Sequence, residues 1–175
     1  IAAAFIGAFP VDSQFGLDQG FDLYDDEYNT PEYLQPHGPQ RLAEAVYASA
    51  ANWLRENHAK KFFVWIHYYD PHDAYEPPEP FATQFKDNLY AGEIAYTDYY
   101  IGKVIDKLKQ MGLYDSSLII VTGDHGEMLG EHGEETKGYY IYQSAVKVPL
   151  IFKLPGRASG RRVDPADLLR HPTDA

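Results

Sequence analysis

Residues 61–78 read KFFVWIHYYDPHDAYEPP. The first nine are aromatic and β-branched, and their centre is continuously apolar. That pattern predicts a strand covered on both faces, as in a parallel sheet. The stretch DPHDAYEPPEP then breaks all regularity, so the strand ends in a loop. Upstream, Leu42, Val46, Ser49, Ala50, Trp53 and Leu54 share one face of a helix predicted from Pro39 to about Asn57. Pro39 suits a helix start. Before it, residues 10–38 are rich in Asp, Gly, Pro, Asn and Gln, and are expected to form a long surface loop. Residues 1–9, IAAAFIGAF, read as a further buried strand ahead of Pro10.

Downstream, residues 89–111 predict a second long helix. Ile94, Ile101, Val104, Ile105, Leu108 and Met111 fall in register, and Gly112 suits its C-cap. SSLIIVTGD predicts another buried strand, followed by a short helix near 138–145 and a strand in KVPLIFKLPG. Strands alternating with helices predict an α/β fold, a mostly parallel sheet flanked by helices. There is no internal repeat. In such sheets, sites lie where loops leave the C-terminal strand ends. Two loops qualify here: DPHDAYEPP, and GDHGEMLGEHGEETKG at residues 123–138.

Composition narrows the function classes. The 175 residues suit one domain or part of a larger one, and 45% hydrophobic content allows a real core. Fifteen Tyr and nine Phe argue for a packed, aromatic-rich fold. A net charge of −11 argues against a nucleic-acid partner and means that an anionic substrate needs local help from a cation. With no Cys, disulfides and cysteine-ligated zinc are excluded. No apolar run is long enough for a membrane helix. The chain opens at Ile1 without Met and ends in LLRHPTDA, which reads as an internal piece of a longer protein.

Four residues in the two loops are candidates for chemistry. Asp124 and His125 follow the strand directly and are flanked by Gly123 and Gly126. An adjacent carboxylate and imidazole can ligate one divalent cation; the alternative is an N-cap Asp beside a surface His. His72 can act as a general acid or bind an anionic group, or simply bond its own backbone. Lys137, among Glu131, Glu134 and Glu135, can hold an anion or form a solvated ion pair. Glu127 and His132 read as turn residues supporting the site. His67 reads as packed against the core, and His37, His58 and His171 as surface residues.

Taken together, FFVWIHYYDPHDAYEPP, YAGEIAYTDYYIGKVIDKL, SLIIVTGDHGEMLGEHGE and KGYYIYQSAVKVPLIFKLPG, in this order and spacing, resemble the sulfatase family of the alkaline phosphatase superfamily. DSQFGLDQGFDLYDDE is similar to a segment of bacterial members, and the likeness covers roughly residues 1–157. The resemblance implies a sulfuric ester hydrolase with one Ca²⁺. It makes Asp124 and His125 metal ligands, although many members have Asn in place of the His. It makes His72 a sulfate contact placed to protonate the leaving group, and Lys137 a contact to the ester oxygen. The implied partner is a sulfate-ester small molecule or a sulfated glycan, and the implied compartment is periplasmic or extracellular. The family's nucleophile is a formylglycine made within a C/S-x-P-x-R motif, accompanied by two earlier Asp ligands. This chain has no such motif, and the Asp25-Asp26 pair lies downstream of where those ligands belong, so it is not assigned to the metal. Residues 1–175 are therefore expected to be a partial sulfatase catalytic domain, truncated at both ends and inactive alone. A phosphodiesterase or phosphonate monoester hydrolase of the same superfamily is the alternative, as is a non-catalytic metal- or glycan-binding relative.

Overall fold

The computed structural model describes residues 1–133 and 141–157. The chain forms two compact units, Ile1–Leu113 and Tyr114–Ala175.

In the first unit, strands β1 (Ala2–Ile6), β2 (Leu23–Asp25) and β3 (Phe63–His67) form a sheet in the order β2-β1-β3. Both pairings are parallel. β1 is central, so its residues need to be apolar on both faces, and Ala3, Ala4, Phe5 and Ile6 are all essentially inaccessible. On one face, Ala3 and Phe5 pack against Val46 and Ala50 of helix α1 (Ala43–Asn57), with Trp53, Val64 and Ile66 around them. Burying Phe5 alone contributes roughly 2–3 kcal/mol. On the other face, Phe21 and Tyr24 pack their rings on Trp65.

Two expectations change here. β3 is an edge strand, half-buried along its length, with Phe63 exposed. The continuous apolar run is used differently: Val64 and Ile66 face α1, while Trp65 stacks on the opposite side. The stretch at 9–38 also contains β2, two single-turn 3₁₀ segments (Phe9–Val11 and Ser13–Phe15) and a longer one, Glu32–His37. β2 was hidden because three residues, Leu-Tyr-Asp, are too short for a period-two signal. It is secured by Arg41, a buried guanidinium that donates to Asp25 Oδ1 (2.9 Å), to the Asp25 carbonyl (2.8 Å) and to the Ile6 carbonyl (2.7 Å).

Helix α2 (Phe81–Gln84) is a single turn, and helix α3 spans Leu89–Gln110. Asn88 caps the start of α3 by accepting from the Ala91 amide. At the other end Gly112 is left-handed (φ +69°), with Leu113 N–H donating to the Leu108 carbonyl and Gly112 N–H to the Lys109 carbonyl. This is a Schellman ending, as the glycine predicts. The predicted register holds in the second half of α3, where Leu108 is buried and Ile101, Val104, Ile105 and Met111 are half-buried, but not in the first half. Gly92, Glu93, Tyr96 and Tyr100 are buried, whereas Ile94 is 44% exposed. Tyr96 and Tyr100 join Ala43 in a second core cluster, supported by Tyr47, Tyr68 and Phe81.

In the second unit, β4 (Ile119–Thr122) pairs with β5 (Leu150–Lys153) in an antiparallel ladder. The prediction of a fully buried strand does not hold, since Leu118, Ile120, Leu150 and Phe152 are exposed. Lys153 donates to the carbonyls of Tyr114 and Ser117, which anchors the turn entering β4. Helix α4 (Gln143–Val146) is short. No helix among the described residues is long and apolar enough to cross a membrane.

Candidate functional site

The end of β3 leads into the first candidate loop. Gly7, just past β1, approaches β3 so closely that a Cβ there would sit 2.8 Å from the His67 carbonyl. Its amide instead donates to His67 Nδ1 (3.3 Å). An amide can only donate, so His67 carries its proton on Nε2. The ring packs edge-on against Trp65, a structural role consistent with the core reading.

Asp70 follows three residues later and caps α1 from a distance. Helix α1 has Leu42 at its N-cap, with no side-chain acceptor. Asp70 Oδ2 accepts the Ala43 amide (3.0 Å), and the Tyr96 hydroxyl accepts that of Glu44 (3.3 Å). Two orphan donors of the first turn are thus satisfied by residues far along the chain. Burial raises the Asp70 pKa from 3.8 to about 6, against the pull of its own amide and that of Ala43. The folded state therefore holds this proton more tightly, and the stability associated with it is lost as pH rises from about 4 through 6. Asp70→Asn keeps an acceptor for Ala43 and cannot ionise. It is expected to flatten the stability profile in that window by about 1–3 kcal/mol, read by chemical denaturation from pH 4 to 7. A profile parallel to the parent's would exclude Asp70 as the source.

His72 lines a small, open cleft together with Tyr69, Asp70, Asp73, Glu76 and Glu93. Its ring stacks on Tyr69 at 4.2 Å, and its Nδ1 lies 2.6 Å from the Asp73 carbonyl. A carbonyl can only accept, so Nδ1 is the donor in this contact. The backbone-bonded reading of this histidine thus holds for Nδ1.

In the second unit, Asp124 and His125 stand just past β4. Asp124 is not a helix N-cap: its Oδ1 accepts the His125 amide (2.9 Å), and no helix follows directly. Its Oδ2 lies 3.6 Å from His125 Nε2. His125 Nδ1 is 2.9 Å from the Gly126 carbonyl, which makes Nδ1 the donor there and leaves Nε2 on the side of the Asp124 carboxylate. A neutral imidazole oriented through its other nitrogen is the usual arrangement of a metal-ligating histidine. Gly126 is required here, because a Cβ would fall 2.0 Å from the Ser144 carbonyl and its amide donates to Ala145 (2.7 Å). Nearby, Glu127 accepts the Met128 amide, Glu131 accepts that of Leu129, and His132 stacks on Tyr142. These are contacts within the turn. Among the described residues no three His, Cys, Asp or Glu converge as a metal cage; Asp124 and His125 are two donors of suitable chemistry. Lys137 lies outside the described residues, as do His171 and the start of the helix predicted near 138–145.

Glu93 escaped the sequence reading. Its signal is a lone carboxylate on the face that Tyr96 and Tyr100 share three and seven residues later. Asp25 is paired with Arg41, and Asp26 accepts the Ser13 amide.

Comparison with known proteins agrees with this architecture. The family model described as "Sulfatase" matches residues 3–169. Human iduronate 2-sulfatase is 38% identical over 82 residues, 47% of this chain and 14% of the relative. Rat steryl-sulfatase is 27% identical over 134 residues, 70% of this chain and 23% of the relative. The chain thus spans less than a quarter of the length of these relatives. The crystal structure of yidJ from Bacteroides fragilis superposes with a TM-score of 0.64 at 22% identity, over 73% of this chain and 34% of that one, and shares the fold. With the family model matching nearly the whole chain, this protein belongs to the sulfatase family.

Proposed function

We propose that the full-length protein hydrolyses a sulfate ester with the help of Ca²⁺. The observation that carries this reading is the corner at Asp124 and His125, where a carboxylate oxygen and an oriented imidazole nitrogen stand side by side in a sulfatase-family chain. These two residues would hold the cation with two of the roughly six to eight ligands that Ca²⁺ takes. When bound, the dication supplies Lewis-acid stabilisation of the charge that builds on the sulfuryl oxygens. His72 gives the proton on Nε2 to the leaving oxygen. Lys137 contacts the ester oxygen as a compact positive charge. The nucleophile is a formylglycine belonging to the full-length protein outside this chain, since residues 1–175 hold no C/S-x-P-x-R segment. Residues 1–175 are thus part of a catalytic domain. The substrate is a small sulfate ester or a sulfated glycan, a class supported by the names of the iduronate and steryl relatives.

The test is sulfate release by the full-length protein from an aryl sulfate, against hydrolysis of a phosphodiester and a phosphonate monoester. Sulfate release at least about 100-fold faster is expected, because the charge stabilisation is set for one transition state. A faster phosphodiester reaction would reverse the assignment, and no turnover of any ester would indicate a non-catalytic relative. Residues 1–175 alone are expected to show no turnover and to bind Ca²⁺ with Kd of about 10⁻³ M or weaker by calorimetry. Micromolar binding would mean that this chain supplies the whole metal site.

A further inference from the structure

The turn that carries His72 is held by one buried side chain from a different element. Glu93, on the first half of α3, is only 5% exposed. Its Oε2 accepts the backbone amide of His72 (3.1 Å), and its Oε1 accepts that of Glu76 (2.8 Å). One carboxylate therefore brackets the four-residue step from His72 to Glu76. Its helix neighbours fasten the same loop. Gly92 lies so close to Pro77 that a Cβ would meet the ring at 2.9 Å, and the Thr97 hydroxyl donates to the Asp70 carbonyl (2.8 Å). Tyr69 and the Asp73 carbonyl then orient the imidazole itself.

A carboxylate is suited to this bracket because both of its oxygens accept. Burying it is unfavourable: burial raises the Glu93 pKa from 4.5 to about 7, with Asp70 and Glu76 adding to the rise. Elsewhere on this face the helix buries aromatic rings, so a costly carboxylate at this position needs a purpose beyond packing.

We propose that Glu93 is a positioning residue for His72: by bridging the amides of His72 and Glu76 it holds the loop so that the imidazole meets the leaving-group oxygen. This rests on the reading of His72 as the proton donor. Glu93 does not touch substrate; it acts through the backbone of the residue that does.

The test compares two substrates in the full-length enzyme. A nitrophenyl sulfate leaves as a stable anion and needs little proton donation, whereas an alkyl or sugar sulfate requires it. His72→Ala is expected to lower kcat/KM on the alkyl sulfate by about 10²–10⁴-fold and on the nitrophenyl sulfate far less. Glu93→Gln replaces one acceptor by an NH₂ donor facing an amide. It is expected to lose about 10–100-fold on the alkyl sulfate, less than about threefold on the nitrophenyl sulfate, and nothing more in a His72→Ala background. Should Glu93→Gln fail to fold, Glu93→Asp, which withdraws the carboxylate by one methylene, carries the same comparison. Equal losses on both substrates, or additive losses with His72→Ala, overturn the proposal while leaving His72 as the acid. A His72→Ala enzyme with no dependence on the leaving group overturns the reading of His72 itself, and this proposal with it.

Discussion

Replacing Asp124 by Ala in the full-length enzyme is expected to lower sulfate release from an aryl sulfate by roughly 10³-fold or more. The change removes an anionic ligand, and a Lewis-acidic cation contributes several kcal/mol to a transition state that spreads charge over a sulfuryl group. The folded state should be nearly untouched. The Asp124 side chain is 82% exposed, and its one described hydrogen bond is to the next residue's amide. Substitutions at such positions usually change stability by less than about 0.5 kcal/mol. Asp124→Asn keeps the shape and one neutral oxygen, so excess Ca²⁺ should restore part of its activity, whereas the alanine variant should not respond. The measurement is sulfate release against Ca²⁺ concentration, with a melting curve for each variant. Undiminished release by the alanine variant would remove Asp124 from the metal site.

The second large effect is expected at Gly126. Adding one methyl group would bring a Cβ within 2.0 Å of the Ser144 carbonyl and 3.2 Å of the Lys147 carbonyl. Both contacts are backbone, so no side chain can swing aside. The loop has to move, and with it goes the hydrogen bond from the Gly126 amide to Ala145. Overpacking and one lost backbone hydrogen bond together predict a cost of about 2–4 kcal/mol for Gly126→Ala. The damage should also reach the chemistry, because the Gly126 carbonyl accepts from His125 Nδ1 and sets the ring's direction. Losing such an orienting contact typically weakens metal binding by about 10–100-fold. Calorimetric Ca²⁺ titration and thermal melting of the same variant test both parts. An unshifted melting curve would mean that the Ser144 contact yields freely, and unaltered Ca²⁺ affinity would detach the Gly126 carbonyl from the site.

Much of this arrangement is legible in residues that lie close together in the chain. Asp124 and His125 are covalent neighbours behind an apolar run, and the flanking glycines mark a tight approach, so their pairing needed no tertiary information. The Schellman end at Gly112 was equally local, because only glycine enters the left-handed region there at no steric cost. His72 was legible as a loop histidine, and the Asp73 carbonyl engages its Nδ1.

What the sequence alone determined is the alternation of strand, loop and helix, and the chemistry gathered at two strand ends. Tertiary structure decided which strand is central, which face of α3 is buried, and how the His72 loop is held. KFFVWIHYY read as a strand covered on both faces, but it lies at the sheet edge, and the short Ala-rich β1 is central because it pairs on both sides. Ile94 looked like a core residue, but Tyr96 and Tyr100 pack beside Ala43 instead. Nothing in the sequence singled out Asp70 or Glu93, yet they accept amides 27, 21 and 17 residues away. The physical reason is common to all three cases. Periodicity records what neighbouring residues favour, whereas burial and hydrogen bonding depend on partners that only the folded chain brings within reach.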